Sequence, residues 1–214
     1  CLAIVTTIAF IPVAFAEDWP QYRGPSGTGV SQESITNTNW DAKEPKVLWK
    51  TPTPLGFSSF AVADGRAFTI VARSGDQGEK TEMCVALSAD TGKQLWSVPL
   101  GESDYGHDGG NAGAPNNQGG DGPRSTPATD GKLVFVYDSH MVLRCLNAAD
   151  GELVWKQDII SDFDGRQIKW LNASSPLLIG ETIYVGGGGK GQSFLAFRKN
   201  SGDVMWRTGD ETIT

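Results

Sequence analysis

The chain has 214 residues, with Lys+Arg 18 against Asp+Glu 25, a formal net charge of −7 and 27 glycines. The acidic residues are spread along the chain and no basic stripe is present, which argues against nucleic acid as a partner. Past the first sixteen residues no stretch is long and apolar enough to cross a bilayer as a helix.

Residues 1–16 carry no charge and end in Ala14-Phe15-Ala16, a small-x-small pattern ahead of Glu17-Asp18. They read as a signal peptide without its initiator methionine and basic start. A lipidated Cys1 is the alternative, but the apolar run behind it fits a signal core better than a polar tether. The expected location is therefore periplasmic or secreted. Residues 17–45 form an N-terminal extension. Lys46-Val47-Leu48-Trp49-Lys50 then matches the last strand of a repeat unit without the three strands that should precede it, so residues 46–51 are expected to act as a closing strand.

Three segments align without a gap: ALSADTGKQLW over 86–96, CLNAADGELVW over 145–155 and AFRKNSGDVMW over 196–206. Each carries a glycine (Gly92, Gly151, Gly202) four residues before a tryptophan (Trp96, Trp155, Trp206), and Trp49 supplies a fourth tryptophan in the same setting. Ahead of each lies a pair of small or hydroxyl residues (Ser58-Ser59, Ser125-Thr126, Ser174-Ser175). A short apolar strand, an Asp-Gly or Gly-Glu turn and a strand rich in β-branched and aromatic residues follow. Such a hairpin, followed by a third strand and a tryptophan-bearing fourth, predicts four short antiparallel strands per unit. One such sheet cannot bury its own faces and must stack on its neighbours. The predicted fold is all-β: a β-propeller of four-stranded antiparallel blades over about 57–100, 124–160 and 174–208. Trp49, Trp96, Trp155 and Trp206 would plug the gaps between blades, each indole N–H seeking a carbonyl. A β-helix would need shorter coils, and a sandwich would not repeat its turn in register. Three blades and a closing strand fall short of a ring, so a complete protein of seven or eight blades, monomeric, is expected.

The segment 105–124, YGHDGGNAGAPNNQGGDGPR, holds His107, Asp108, Asn111, Asn116, Asn117 and Asp121. Asp108, Asn111 and Asp121 are the candidate metal ligands, oxygen-rich enough for Ca²⁺, and His107, Asp108 and Arg124 are the candidate cofactor contacts. The competing reading is a glycine-rich surface loop. Arg124 either faces the central channel, to grip a carboxylate or carbonyl, or pairs with Asp121 to order the loop. His140 reads as a turn residue. The run Gly186-Gly187-Gly188-Gly189-Lys190-Gly191 lacks the spacing and the helix of a phosphate loop and connects two strands instead. Asn172-Ala173-Ser174 fits a glycosylation sequon. Cys84 and Cys145 occupy inward positions and read as buried small hydrophobes, a bridge between sheets remaining the alternative.

The 86–96 segment resembles the tryptophan-docking motif of quinoprotein repeats, the family of pyrroloquinoline quinone (PQQ)-like β-propellers. That family includes PQQ-dependent alcohol dehydrogenases and an outer-membrane assembly lipoprotein. Trp19-Pro20-Gln21-Tyr22-Arg23-Gly24-Pro25 with Gly27-Thr28-Gly29, Gly122-Pro123-Arg124-Ser125-Thr126-Pro127 and Ser175-Pro176-Leu177 resemble exported PQQ-like proteins of planctomycete-type bacteria. The resemblance implies one of two functions. One is an exported scaffold that presents loops and blade edges to a protein or cell-surface ligand. The other is a quinone-dependent alcohol or sugar dehydrogenase using PQQ and Ca²⁺. Cofactor-bearing members commonly hold the quinone above two adjacent cysteines, and this chain has no adjacent cysteines and no CxxCH haem motif. A polysaccharide hydrolase would need a carboxylate pair that the sequence does not display.

Overall fold

The computed structural model describes residues 16–35, 37–75, 79–102, 122–168 and 171–211. Twelve strands form three sheets among them. The first holds β1 (Ala61–Ala63), β2 (Arg66–Ser74), β3 (Lys80–Ser88) and β4 (Gln94–Glu102). The second holds β5 (Ala128–Thr129), β6 (Leu133–Tyr137), β7 (Val142–Asn147) and β8 (Leu153–Asp158), and the third β9 (Leu177–Ile179), β10 (Thr182–Gly189), β11 (Gln192–Arg198) and β12 (Val204–Thr208). Within each sheet the strands follow chain order and pair antiparallel. The first strands β1, β5 and β9 lie against one another, and β4, β8 and β12 form the opposite edges.

The repeated motif has a repeated structure. A small residue of the third strand faces the tryptophan of the fourth in every sheet, Ala86 opposite Trp96, Cys145 opposite Trp155 and Ala196 opposite Trp206, and the ladder shifts register immediately afterwards. The turn between those strands closes through Gly92 N to Ser88 O, Gly151 N to Asn147 O and Gly202 N to Arg198 O, each 2.9 Å. These glycines have positive φ (67°, 79° and 73°), where a side chain would be strained.

Each glycine also lies beneath the tryptophan of the preceding unit. A Cβ on Gly151 would fall 2.9 Å from the Trp96 ring, and one on Gly202 would fall 2.7 Å from that of Trp155; Gly92 meets Trp49 in the same way. The indole N–H then reaches across. Trp49 Nε1 donates to Ala89 O (2.8 Å), Trp96 Nε1 to Ala148 O (3.0 Å) and Trp155 Nε1 to Lys199 O (2.8 Å). Trp49 docks from a segment, 46–51, that has no strand pairing among the described residues.

Between the sheets the core is apolar. Phe68, Ile70, Cys84 and Ala86 of the first sheet pack on Val134, Val136 and Leu146 of the second. Phe135, Tyr137, Leu143 and Cys145, on the second sheet's other face, pack on Ile183, Val185, Leu195 and Phe197 of the third. Cys84 and Cys145 therefore sit in different layers, both buried and both free thiols. Burial pushes Cys84 up, and burial with a contribution from Asp130 pushes Cys145 up to about 12.

One element was not expected from the strand pattern. The connection from the second to the third sheet contains a short helix, α1 (Ile159–Phe163). The Asp158 side chain accepts from Ile160 N and Ser161 N as its N-cap, and Asp164 ends it in the left-handed region. Ile159 is fully buried and pins it to the core.

An ion-pair set joins the second and third sheets at the turn end. Lys199 Nζ lies 3.0 Å from Asp130 Oδ2 and 2.9 Å from Glu181 Oε1. Burial alone would raise the Asp130 carboxyl, but hydrogen bonds from Leu133 N, Lys199 and Lys132 N outweigh it and hold the group below its ordinary value. Glu181 and then Asp130 raise the Lys199 ammonium above its own. The stabilisation from Asp130 is present above the unfolded carboxyl pKa and is lost as pH falls through the lower folded value. That from Lys199 is complete below the unfolded ammonium pKa and is lost as pH rises through the higher folded value. Thermal melts of Lys199→Met against wild type are expected to differ most near neutral pH and to converge towards both extremes. A constant difference across pH would contradict the assignment.

Candidate ligand-binding face

At the end of the sheets opposite those turns, the β6–β7 turn, the chain following α1 and the glycine-rich half of β10 enclose a cleft of about 190 Å³. Met141, Ile168 and Ala173 give it apolar walls, and Arg166, Asn172 and Ser174 give it polar ones. The glycine run makes this packing possible. A Cβ on Gly188 would meet Arg166 O at 2.6 Å, so the backbone after α1 can lie directly on β10, with Arg166 N donating to Gly187 O (2.8 Å). Gly189 pairs with Gln192 across the hairpin, which makes this run a strand and its turn.

Behind the cleft lies a polar lattice. Asp138 Oδ1 accepts from His140 N (3.0 Å) and Val142 N (2.9 Å), and its other oxygen pairs with Arg144, whose guanidinium also reaches Leu100 O of the first sheet. Glu82, 1% exposed, accepts from Ser139 N (3.2 Å) across the same boundary. Asn172 Nδ2 donates to Asp138 O (3.0 Å) while its Oδ1 accepts from Ser174 Oγ (2.6 Å). The Asn172 amide is buried and fully used, and the sequon carries no exposed acceptor. Tyr137 OH donates to Gly186 O (2.7 Å), and burial, with Asp138 and Asp158 adding to it, pushes the phenol up. The hydroxyls of Ser125 and Ser139 are buried without a partner among the described residues.

The sequence-predicted site residues separate. His107, Asp108, Asn111, Asn116, Asn117 and Asp121 lie outside the described residues. The Arg124 guanidinium sits over the Phe57 ring, 5.8 Å from its centre. His140 occupies the β6–β7 turn with Nε2 3.1 Å from Glu102 O. Trp206, 43% exposed, docks on no turn among the described residues. The sequence reading missed Glu82, Asp138 and Arg144. The available signal was a charge set within alternating apolar strands, as in KTEMCVALS and VLRCLN.

Among the described residues, the groups around the cleft do not fit a quinone with its Ca²⁺. Arg144 and backbone N–H groups already fill the oxygens of Asp138, Ser139 N engages Glu82, and the two cysteines lie in separate layers. No group of three His, Cys, Asp or Glu side chains among the described residues is placed to hold a metal ion.

A family model described as outer membrane protein assembly factor BamB matches residues 79–213, more than half of the chain. The chain belongs to this family. Among solved structures it is similar to quinohaemoprotein alcohol dehydrogenase from Comamonas testosteroni (18% identity, TM-score 0.66, 89% of this chain and 27% of that one). It is likewise similar to quinohaemoprotein alcohol dehydrogenase ADHIIG from Pseudomonas putida HK5 (19% identity, TM-score 0.61, 89% of this chain and 26% of that one). At such identity the likeness is one of fold. The chain spans about a quarter of the length of these enzymes. No curated protein matches it. None of the described helices is long and apolar enough to cross a membrane.

Proposed function

We propose that this chain is part of an exported, non-catalytic propeller scaffold that binds protein or surface ligands in the periplasm or outside the cell. In this reading residues 1–16 are the export signal, 17–45 an extension and 46–214 part of a ring of seven or eight blades. The motif from Trp19 to Pro25 supports kinship with exported planctomycete-type relatives. The family's description as an assembly factor supports a protein-binding role.

One observation carries the reading: the edge strands β4, β8 and β12 expose aliphatic side chains in one register. Leu95, Val154 and Met205, each directly before the tryptophan of its strand, are exposed, with Leu153 and Val204 beside them. An edge strand that displays apolar side chains is suited to adding an extended segment of a partner. The ionisable groups behind the cleft, by contrast, are engaged in holding sheets together.

Two measurements test this. An extended peptide of alternating apolar and polar residues, followed by fluorescence anisotropy, is expected to bind and to lose affinity about tenfold in the Leu95→Asp/Val154→Asp/Met205→Asp variant, about 1.4 kcal/mol. Quinone at about 100 µM with Ca²⁺ is expected to give no shifted absorption band, a level that detects dissociation constants well into the weak range. Quinone binding with alcohol-dependent dye reduction would replace the scaffold by the dehydrogenase.

A further inference from the structure

The N-terminal extension contains a segment that touches all three sheets in succession. Trp19 N donates to Val62 O and Val62 N to Trp19 O, both 2.8 Å, which adds one antiparallel bridge to β1. The next residue, Pro20, accepts through its carbonyl from Thr129 N of β5 (2.8 Å). The residue after that, Gln21, accepts through Oε1 from Leu178 N of β9 (2.9 Å). Three consecutive residues thus satisfy one backbone N–H on the first strand of each of three successive sheets. A proline is admissible in the middle because only its carbonyl is used.

The segment is built to hold this path. Gln21 is 6% exposed, and its own carbonyl accepts from Gly24 N (2.9 Å), which turns the chain back. Gly24 has φ 78°, and a Cβ there would lie 2.7 Å from the Trp19 ring, so the indole covers the turn. Gly29 N donates to Arg23 O (2.8 Å) and closes the loop behind it. The segment lies beside the hairpin turns: Asp18, Pro20, Gln21 and Pro25 share a shallow depression with Ala63, Asp130 and Gly180. Those turns are at the opposite end of the sheets from the cleft at Met141 and Gly186.

We propose that residues 19–24 form an internal strap, a peptide docked in cis across β1, β5 and β9 that fixes their spacing and covers their edges on the turn side. The edges of these strands carry N–H groups that must be paired or left to water, and the strap supplies the acceptors by strand addition and one amide side chain. A ligand that reaches the first strands then comes from the cleft end, because the chain itself occupies the other. The proposal stands independently of the scaffold reading.

Limited trypsin digestion of the whole protein tests it. Cleavage in the exposed stretch at Lys43 or Lys46 is expected while the Arg23–Gly24 bond is spared, and the released N-terminal fragment is expected to co-elute with the remainder in native gel filtration. Gln21→Leu removes the acceptor for Leu178 N. It is expected to speed cleavage at Arg23 and exchange of the Leu178 amide at least about tenfold, the scale of one unsatisfied buried donor. A fragment that elutes free, Arg23 cut as fast as Lys43 in wild type, or a folded Gln21→Leu variant unchanged in both readouts would overturn the strap. Should Gln21→Leu fail to fold, wild-type retention and Arg23 protection decide alone.

Discussion

Trp96→Ala is expected to lower the unfolding free energy by about 3–5 kcal/mol, the range for deleting a large aromatic from a packed interior. Trp96 is 9% exposed, tilts against Phe68 with ring centres 5.8 Å apart, covers Gly151 and donates to Ala148 O. Alanine would leave a cavity between the first two sheets and an unpaired carbonyl on the neighbouring turn. Against a total stability of about 5–15 kcal/mol for a typical domain, the loss approaches collapse. Trp206→Ala provides the internal control. That ring is 43% exposed, its main aromatic contact is Tyr184 in its own sheet, and its loss should cost far less. Urea denaturation of the two variants checks the ranking, and equal losses would mean that the docked indole is not what joins the sheets.

Asp138→Ala is expected to be comparably severe, about 3–5 kcal/mol, for an electrostatic reason. Its carboxylate side chain is 3% exposed and that of Arg144 is 16% exposed, so removing the acid leaves a guanidinium nearly out of water without its counter-charge. The N–H groups of His140 and Val142 lose their acceptor as well. Adding Arg144→Met to Asp138→Ala removes the stranded charge and is expected to restore part of the loss, because a buried pair is often replaceable by apolar groups whereas half a pair is not. Thermal denaturation of the single and double variants measures this. A double variant no more stable than the single one would show that the N–H acceptors, not the charge, dominate.

The cleft illustrates how a motif can be visible and its purpose hidden. Within the run 186–191 that could suggest a phosphate loop, three glycines owe their place to backbone proximity instead: Gly187 is pressed by Gln192 O, Gly188 by Arg166 O and Gly189 by Asp164 O. Nothing in the order of residues announces that approach. Arg124 is similar, since a channel role and a pairing with Asp121 were both open to it, and the Phe57 ring it covers comes from the chain before β1.

The tandem strands were legible from the sequence because their causes are local. Alternation of apolar residues, turn glycines at positive φ and a small residue opposite each tryptophan act within about ten residues, and repeating them three times fixes the register of each sheet. What needed the tertiary structure are contacts whose partners are far apart in the chain and whose residue types are unremarkable alone. The Gln21–Leu178 bond spans 157 positions, and the Glu82–Ser139 bond spans 57. A glutamine in a linker or a glutamate in a strand carries no mark of its partner. Only the stacking of one sheet on the next brings a buried acceptor to an otherwise unpaired N–H, and desolvation then makes that meeting decisive.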